Sequence, residues 1–144
     1  MHRTTGAELA RSQLLALLAE AEGKVGRTAE GLSVLAEALA VAHSTGESAW
    51  EAELYRLKGE LTLRQATPDA AQAEACFNQA LTIAHRQQAK SWELRAATSL
   101  ARLWQRQDKP AEAHELLAPL YGWFTEGFET ADLQEAKALL EALA

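Results

Sequence analysis

The apolar positions of this chain recur with a helical period. From each of Gly31, Ala73 and Ala113 a large apolar residue follows four positions on (Leu35, Phe77, Leu117), and a further apolar residue three beyond that (Ala38, Ala80, Leu120). A spacing of i, i+4, i+7 lines one face of a helix, the face that must be buried. No segment alternates apolar and polar residues for long enough to predict a strand. Punctuation then sets the element boundaries. Gly23 and Gly46 read as helix stops, giving a first helix over about 7–22 and a second over about 28–43. A third begins near Glu47 or Ser48 and runs to about Gln65, a fourth covers about 69–88 and a fifth about 91–107. Thr67-Pro68-Asp69 and Asp108-Lys109-Pro110 read as helix starts, with proline where a missing N–H costs nothing. Pro119 lies inside the sixth pattern and deprives the Glu115 carbonyl of its partner, which predicts a kink or an early end. Trp123, Phe124 and Phe128 follow, expected to cover the last apolar edge together with a closing helix over about 131–143, whose Leu133, Ala136, Leu140 and Leu143 share a face.

The pattern also repeats as text. Ala38-Leu39-Ala40-Val41-Ala42-His43, then Trp50-Glu51, returns 42 residues later as Ala80-Leu81-Thr82-Ile83-Ala84-His85, then Trp92-Glu93. A period between 20 and 50 residues marks one supersecondary unit stacked along an axis. Small residues keep the same beat: Ala19, Gly59 and Ala101 lie 40 and 42 apart, and Gly31, Ala73 and Ala113 lie 42 and 40 apart. A side chain of one carbon or none is what two packed helices need where their backbones come closest.

These positions resemble the tetratricopeptide repeat family. Its order of small residue, second small residue, large apolar residue and alanine is met by Gly59, Ala73, Phe77 and Ala80 with a two-residue insertion. Leu100, Ala101, Trp104, Ala113 and Leu117 meet it without one, as do Leu15, Leu18, Ala19, Gly31, Leu35 and Ala38, although Glu22 stands where an aromatic is usual. The resemblance implies an all-α fold: a right-handed superhelix of antiparallel helix pairs, with repeats at about 7–46, 47–89 and 90–128 and a capping helix at about 131–143. The long period, with Glu51-Ala52-Glu53-Leu54-Tyr55-Arg56-Leu57-Lys58-Gly59-Glu60 and Trp92-Glu93-Leu94-Arg95-Ala96-Ala97, is most similar to the C-terminal repeat regions of bacterial adenylate or guanylate cyclase-related predicted ATPases and of maltose-regulator-type transcription activators. That similarity implies a segment of a larger multidomain signalling protein.

Composition changes this picture little. At 144 residues and 48% hydrophobic the chain is expected to form one domain, burying roughly 68–70% of its unfolded surface. Ala, Leu, Glu, Gln and Arg, all strong helix formers, dominate. The longest apolar run, Leu14 to Ala19, is too short to span a bilayer, and Met1-His2-Arg3 leads into no signal-like segment, so the cytoplasm is the expected compartment. With 14 basic against 20 acidic residues, a formal net charge of −6, nucleic acid is not an expected partner.

Candidate chemistry is sparse. Cys76, the only cysteine, sits beside Phe77 and reads as a small buried hydrophobe, and one cysteine builds neither a disulfide nor a cysteine zinc site. His43 and His85 occupy equivalent places one period apart, in the last turn of a helix, where imidazole meets free carbonyls and the negative end of the dipole. His114 stands alone. Gly23 and Gly26 lack the lysine and hydroxyl residue of a phosphate loop, and no serine or threonine sits in a nucleophile elbow. No catalytic, cofactor-binding or metal-ligating residue is assigned, and the chain is read as non-enzymatic.

What remains is surface. In the resembled family the first helix of each pair lines a concave groove, which places Glu53, Arg56, Glu60, Leu63 and Arg64, then Arg95, Thr98, Arg102, Gln105 and Arg106, on that face, with Tyr55 beside them. Arg95, Arg102 and Arg106, spaced by seven and four, form one stripe against the sign of the whole chain. The stripe reads either as a site for a carboxylate or an acidic peptide, or as a solvated face in which Glu53 and Glu60 pair across to the arginines. The asparagine-based carboxylate clamp of chaperone-binding repeats is missing, since the only asparagine is Asn78. Three functions stay open: an interaction and signal-relay scaffold binding a peptide, a partner domain or another domain of its own chain; a small-ligand sensor for an attached ATPase or cyclase; and a self-association module using a repeat edge or the Trp123-Phe124-Phe128 cluster.

Overall fold

The computed structural model describes residues 6–46 and 49–144, apart from the side chains of 6–10 and 12. Among the described residues all regular structure is helical: α1 (Gly6–Lys24), α2 (Thr28–Thr45), α3 (Glu51–Leu63), α4 (Ala70–Arg86), α5 (Lys90–Arg106), α6 (Pro110–Gly122) and α7 (Ala131–Leu143). None of these helices is long and apolar enough to cross a membrane.

Each helix packs on the next, and α1, α3, α5 and α7 also touch in succession. The odd-numbered helices therefore make one continuous layer with α2, α4 and α6 behind it. Small residues let the layers close. Ala19, Gly31, Gly59, Ala73, Ala101 and Ala113 are all buried, as are the large residues Leu35, Phe77 and Leu117 that follow the second small position. A methyl group built on Gly59 would lie 2.5 Å from Phe77 Cε1, and one on Gly31 would lie 3.1 Å from the Ala19 carbonyl oxygen. Glycine at these two places is thus a packing requirement between adjacent helices.

Several boundaries differ from the sequence expectation for local reasons. Gly23 does not stop α1, which continues to Lys24; it is a close-approach position, where a methyl group would run into the Leu61 side chain. The left-handed residue is Gly26, at φ 85°, in the middle of a three-residue link. Links of the same length join α4 to α5 and α5 to α6, with Gln88 (φ 56°) and Asp108 (φ 61°) in the left-handed position. Pro68 stands outside α4, whose first turn is capped by Asp69: its carboxylate accepts from the Gln72 N–H at 3.0 Å. Pro110 opens α6, and Gly46 closes α2 with φ 72°. α6 does not end at Pro119 but runs on to Gly122. The expected start of α3 at Glu47 or Ser48 falls outside the described residues, and the helix is formed from Glu51.

Candidate functional site

The most organised polar cluster sits where α3, α5 and α7 meet. Glu53, on the first turn of α3, is only 5% exposed. Arg56 lies one turn further along the same helix and its Nε donates to both Glu53 oxygens, at 3.0 and 3.1 Å. From α5, Arg95 places Nη1 3.1 Å from Glu53 Oε1, and its Nε lies 3.3 Å from Asp132 Oδ1 at the start of α7. Arg56 Nη1 donates to the Ser99 hydroxyl at 3.3 Å, closing a network across three helices. Burial works against the Arg56 charge, but the hydrogen bond and charge of Glu53, with Glu60 and Glu20, outweigh it and hold its pKa above the usual arginine value. Two arginines thus neutralise one buried carboxylate, the condition under which a charge can stay in a core.

Above this floor the odd-helix layer carries a cavity of about 230 Å³ lined by Lys24, Arg95, Arg102, Asp132 and Glu135. A second, of about 150 Å³, adjoins it between α1 and α3 and shares Glu20, Lys24, Arg56 and Arg102 while adding Glu60 and Arg64. Arg102 is half-buried and stands 3.6 Å from the exposed carboxylate of Glu135. Lys24 is exposed and lines both cavities. The lining is a nearly balanced mixture of cations and carboxylates. Such a surface recognises charge pattern; it does not attract by net charge.

The structure brings Arg56, Arg95 and Arg102 together at the larger cavity and Arg64 to the smaller one. Arg106 is exposed in the last turn of α5 and lines neither, because the arginine stripe runs past the end of the groove. Tyr55 also lies elsewhere. It packs against Ala52, Ile83 and Ala84, and burial, with the charges of Glu51 and Cys76, raises its phenol pKa. Leu63 packs against the Phe77 cluster. Lys24 escaped the sequence reading although the period marks it: Lys24, Arg64 and Arg106 lie 40 and 42 residues apart, each at the end of an odd-numbered helix.

Two histidines, His43 and His85, link successive helices. His43 Nε2 lies 3.5 Å from Glu51 Oε1, and His85 Nδ1 lies 3.2 Å from Glu93 Oε2, so each meets a carboxylate eight residues on, at the start of the following helix. The sequence had assigned them to free carbonyls. Among the described residues no three metal-ligating side chains of the His, Cys, Asp and Glu kind converge. Cys76 is buried and its thiol pKa is raised by that burial, with Lys58 opposing. Apolar space lies elsewhere, in an open cleft of about 570 Å³ where Leu81, Leu116 and Leu120 meet Arg86, Glu93 and Glu115. Compared with known proteins, the sequence matches no family model and no curated protein.

Proposed function

We propose that this chain is a non-catalytic interaction scaffold, a tetratricopeptide-like superhelix whose odd-numbered helices present a groove to a protein segment carrying carboxylates. The observation that carries the reading is the shared lining of the two adjoining cavities by Lys24 and Arg102. Arg56 and Arg95 are committed to Glu53, so they shape the floor. Arg102 is only loosely held by Glu135 and can exchange that surface carboxylate for a ligand's. Lys24 offers a second cation within the same groove. A segment with carboxylates spaced to reach both would be oriented along the odd-helix layer, and the mixed lining would reject segments of uniform charge. Repeat regions of this kind suit a relay role in a larger signalling protein, because a bound segment contacts several helix pairs at once.

The test is a peptide array in which carboxylate number and spacing vary, read with fluorescently labelled protein at two salt concentrations. Retention should rise with paired carboxylates, fall with salt, vanish in the double variant Lys24→Ala, Arg102→Ala, and persist in Arg106→Ala. Equal retention by the double variant would remove the groove from the account and leave a spacer or a self-association device.

A further inference from the structure

The outer face of α1 shows Leu14, Leu17 and Leu18 at 64%, 54% and 46% exposure, with Val25, the first residue of the link that follows, at 70%. One period on, the counterparts of Leu14 and Leu17 are Leu54 and Leu57 in α3, which are 0% and 6% exposed. One period further, their counterparts Ala96 and Ser99 in α5 are buried as well, whereas Leu18 corresponds to the half-buried Lys58 in α3 and the buried Leu100 in α5. The cover in both cases is the helix pair that precedes. Leu54, Leu57 and Leu61 share one apolar cluster with Ala16 and Ala19 of α1 and with Leu35, Ala38 and Leu39 of α2. Leu100 and Leu103 share another with Ala73 and Phe77 of α4, while Ser99 receives Arg56 from α3. The α1 stripe therefore continues a type of interface that the molecule already uses twice.

We propose that this stripe is a joint: it seats a further helix pair of the same pattern, connected ahead of α1 as α1 and α2 are connected ahead of α3. A second copy of the chain does not supply such a helix pair. Each of α2, α4 and α6 is already spent on α3, α5 and α7, so a copy has no helix of that kind with its joint face free. Its other end is polar, with Gln134, Lys137 and Glu141 exposed on α7. In stacked helical proteins a terminal unit needs a polar outer face, and α7 has one where α1 does not.

The experiment compares the 144-residue chain with a tandem form in which a copy of residues 6–50 precedes residue 6. That pair is chosen because Leu14 and Leu17 match Leu54 and Leu57 in kind. Each protein is made with and without Leu14→Glu and Leu17→Glu at the original α1. In the unmodified chain the two glutamates should leave the melting temperature within about 2 °C, since the sites are exposed, and should lower binding of a hydrophobic dye. In the tandem form they should lower the melting temperature by at least about 8 °C, because they then stand in a buried joint. A tandem form that ignores the glutamates, or that melts in two separate steps, overturns the proposal. So does sedimentation showing that the unmodified chain is a dimer dissolved by the same substitutions, which would make a second copy the occupant.

Discussion

The two ends of the helix stack are finished differently. At the C-terminal end α7 turns Leu133, Ala136 and Leu139 inward onto Leu94, Ala97 and Ala101 of α5 and Ala113 and Leu117 of α6, leaving polar residues outside. At the other end α1 buries Ala16 and Ala19 yet leaves Leu14 and Leu17 open. Every leucine of α7 packs into that one cluster, whereas α1 leaves three leucines exposed. An end is therefore recognisable by what its outer face lacks. The same contrast tells which substitutions matter, because apolar residues that look alike in sequence differ by their neighbours.

The largest effect should come from the middle of the stack. Glu53→Ala leaves Arg56 and Arg95 facing each other with no buried carboxylate between them, and unfolding should show a loss of about 3 kcal/mol. A loss under about 1 kcal/mol would mean that solvent reaches the arginines and that the network is not structural. The ends themselves are compared by Leu133→Ala, expected to cost about 2–3 kcal/mol, against Leu14→Ala, expected within about 0.5 kcal/mol. Equal costs would erase the difference on which the comparison rests. Gly59→Leu should cost about 1–3 kcal/mol by forcing α3 away from the Phe77 ring. Arg102→Ala should change stability by no more than about 0.5 kcal/mol while removing groove binding, because its partner Glu135 is exposed. Cys76, buried and with its thiol pKa raised, holds less thiolate at any given pH than a free cysteine, so alkylation at pH 8 should be slow until denaturant is added. Rapid alkylation of the native chain would show that α4 opens locally.

Much of this arrangement was legible in the sequence because residues one period apart meet. Trp50 and Trp92, 42 residues apart, have ring centroids 5.2 Å apart, and Glu53 and Arg95, also 42 apart, form an ion pair at 3.1 Å. The small-residue beat marked the helix contacts, and Gly31, Gly59 and Phe77 lie where that beat places them. The groove was harder to read. A stripe at helical spacing fixes a face but not where a groove ends, so Arg106 was included and Lys24 missed. Tyr55, adjacent to Arg56 in the chain, turns toward α4 because successive residues on a helix point about 100° apart. Glu53 could be named as a partner from the sequence, but Arg95 and Arg102 also meet Asp132 and Glu135 of α7, and no spacing within α5 announces those two. Gly23 misled for a similar reason: its demand is steric and comes from Leu61, 38 residues away.

Native-state amide hydrogen exchange on the 144-residue chain distinguishes a stack closed at α7 and open at α1 from one finished alike at both ends. Helices packed on both sides open only by near-global unfolding, whereas one with an uncovered apolar face opens locally. Exchange should be slowest in α3, α4 and α5, with protection in α7 within about tenfold of theirs and α1 faster than α7 by at least about tenfold. Exchange in α1 as slow as in α5 would contradict this, for it would show that the exposed leucines are already covered and that the N-terminal end is as complete as the other.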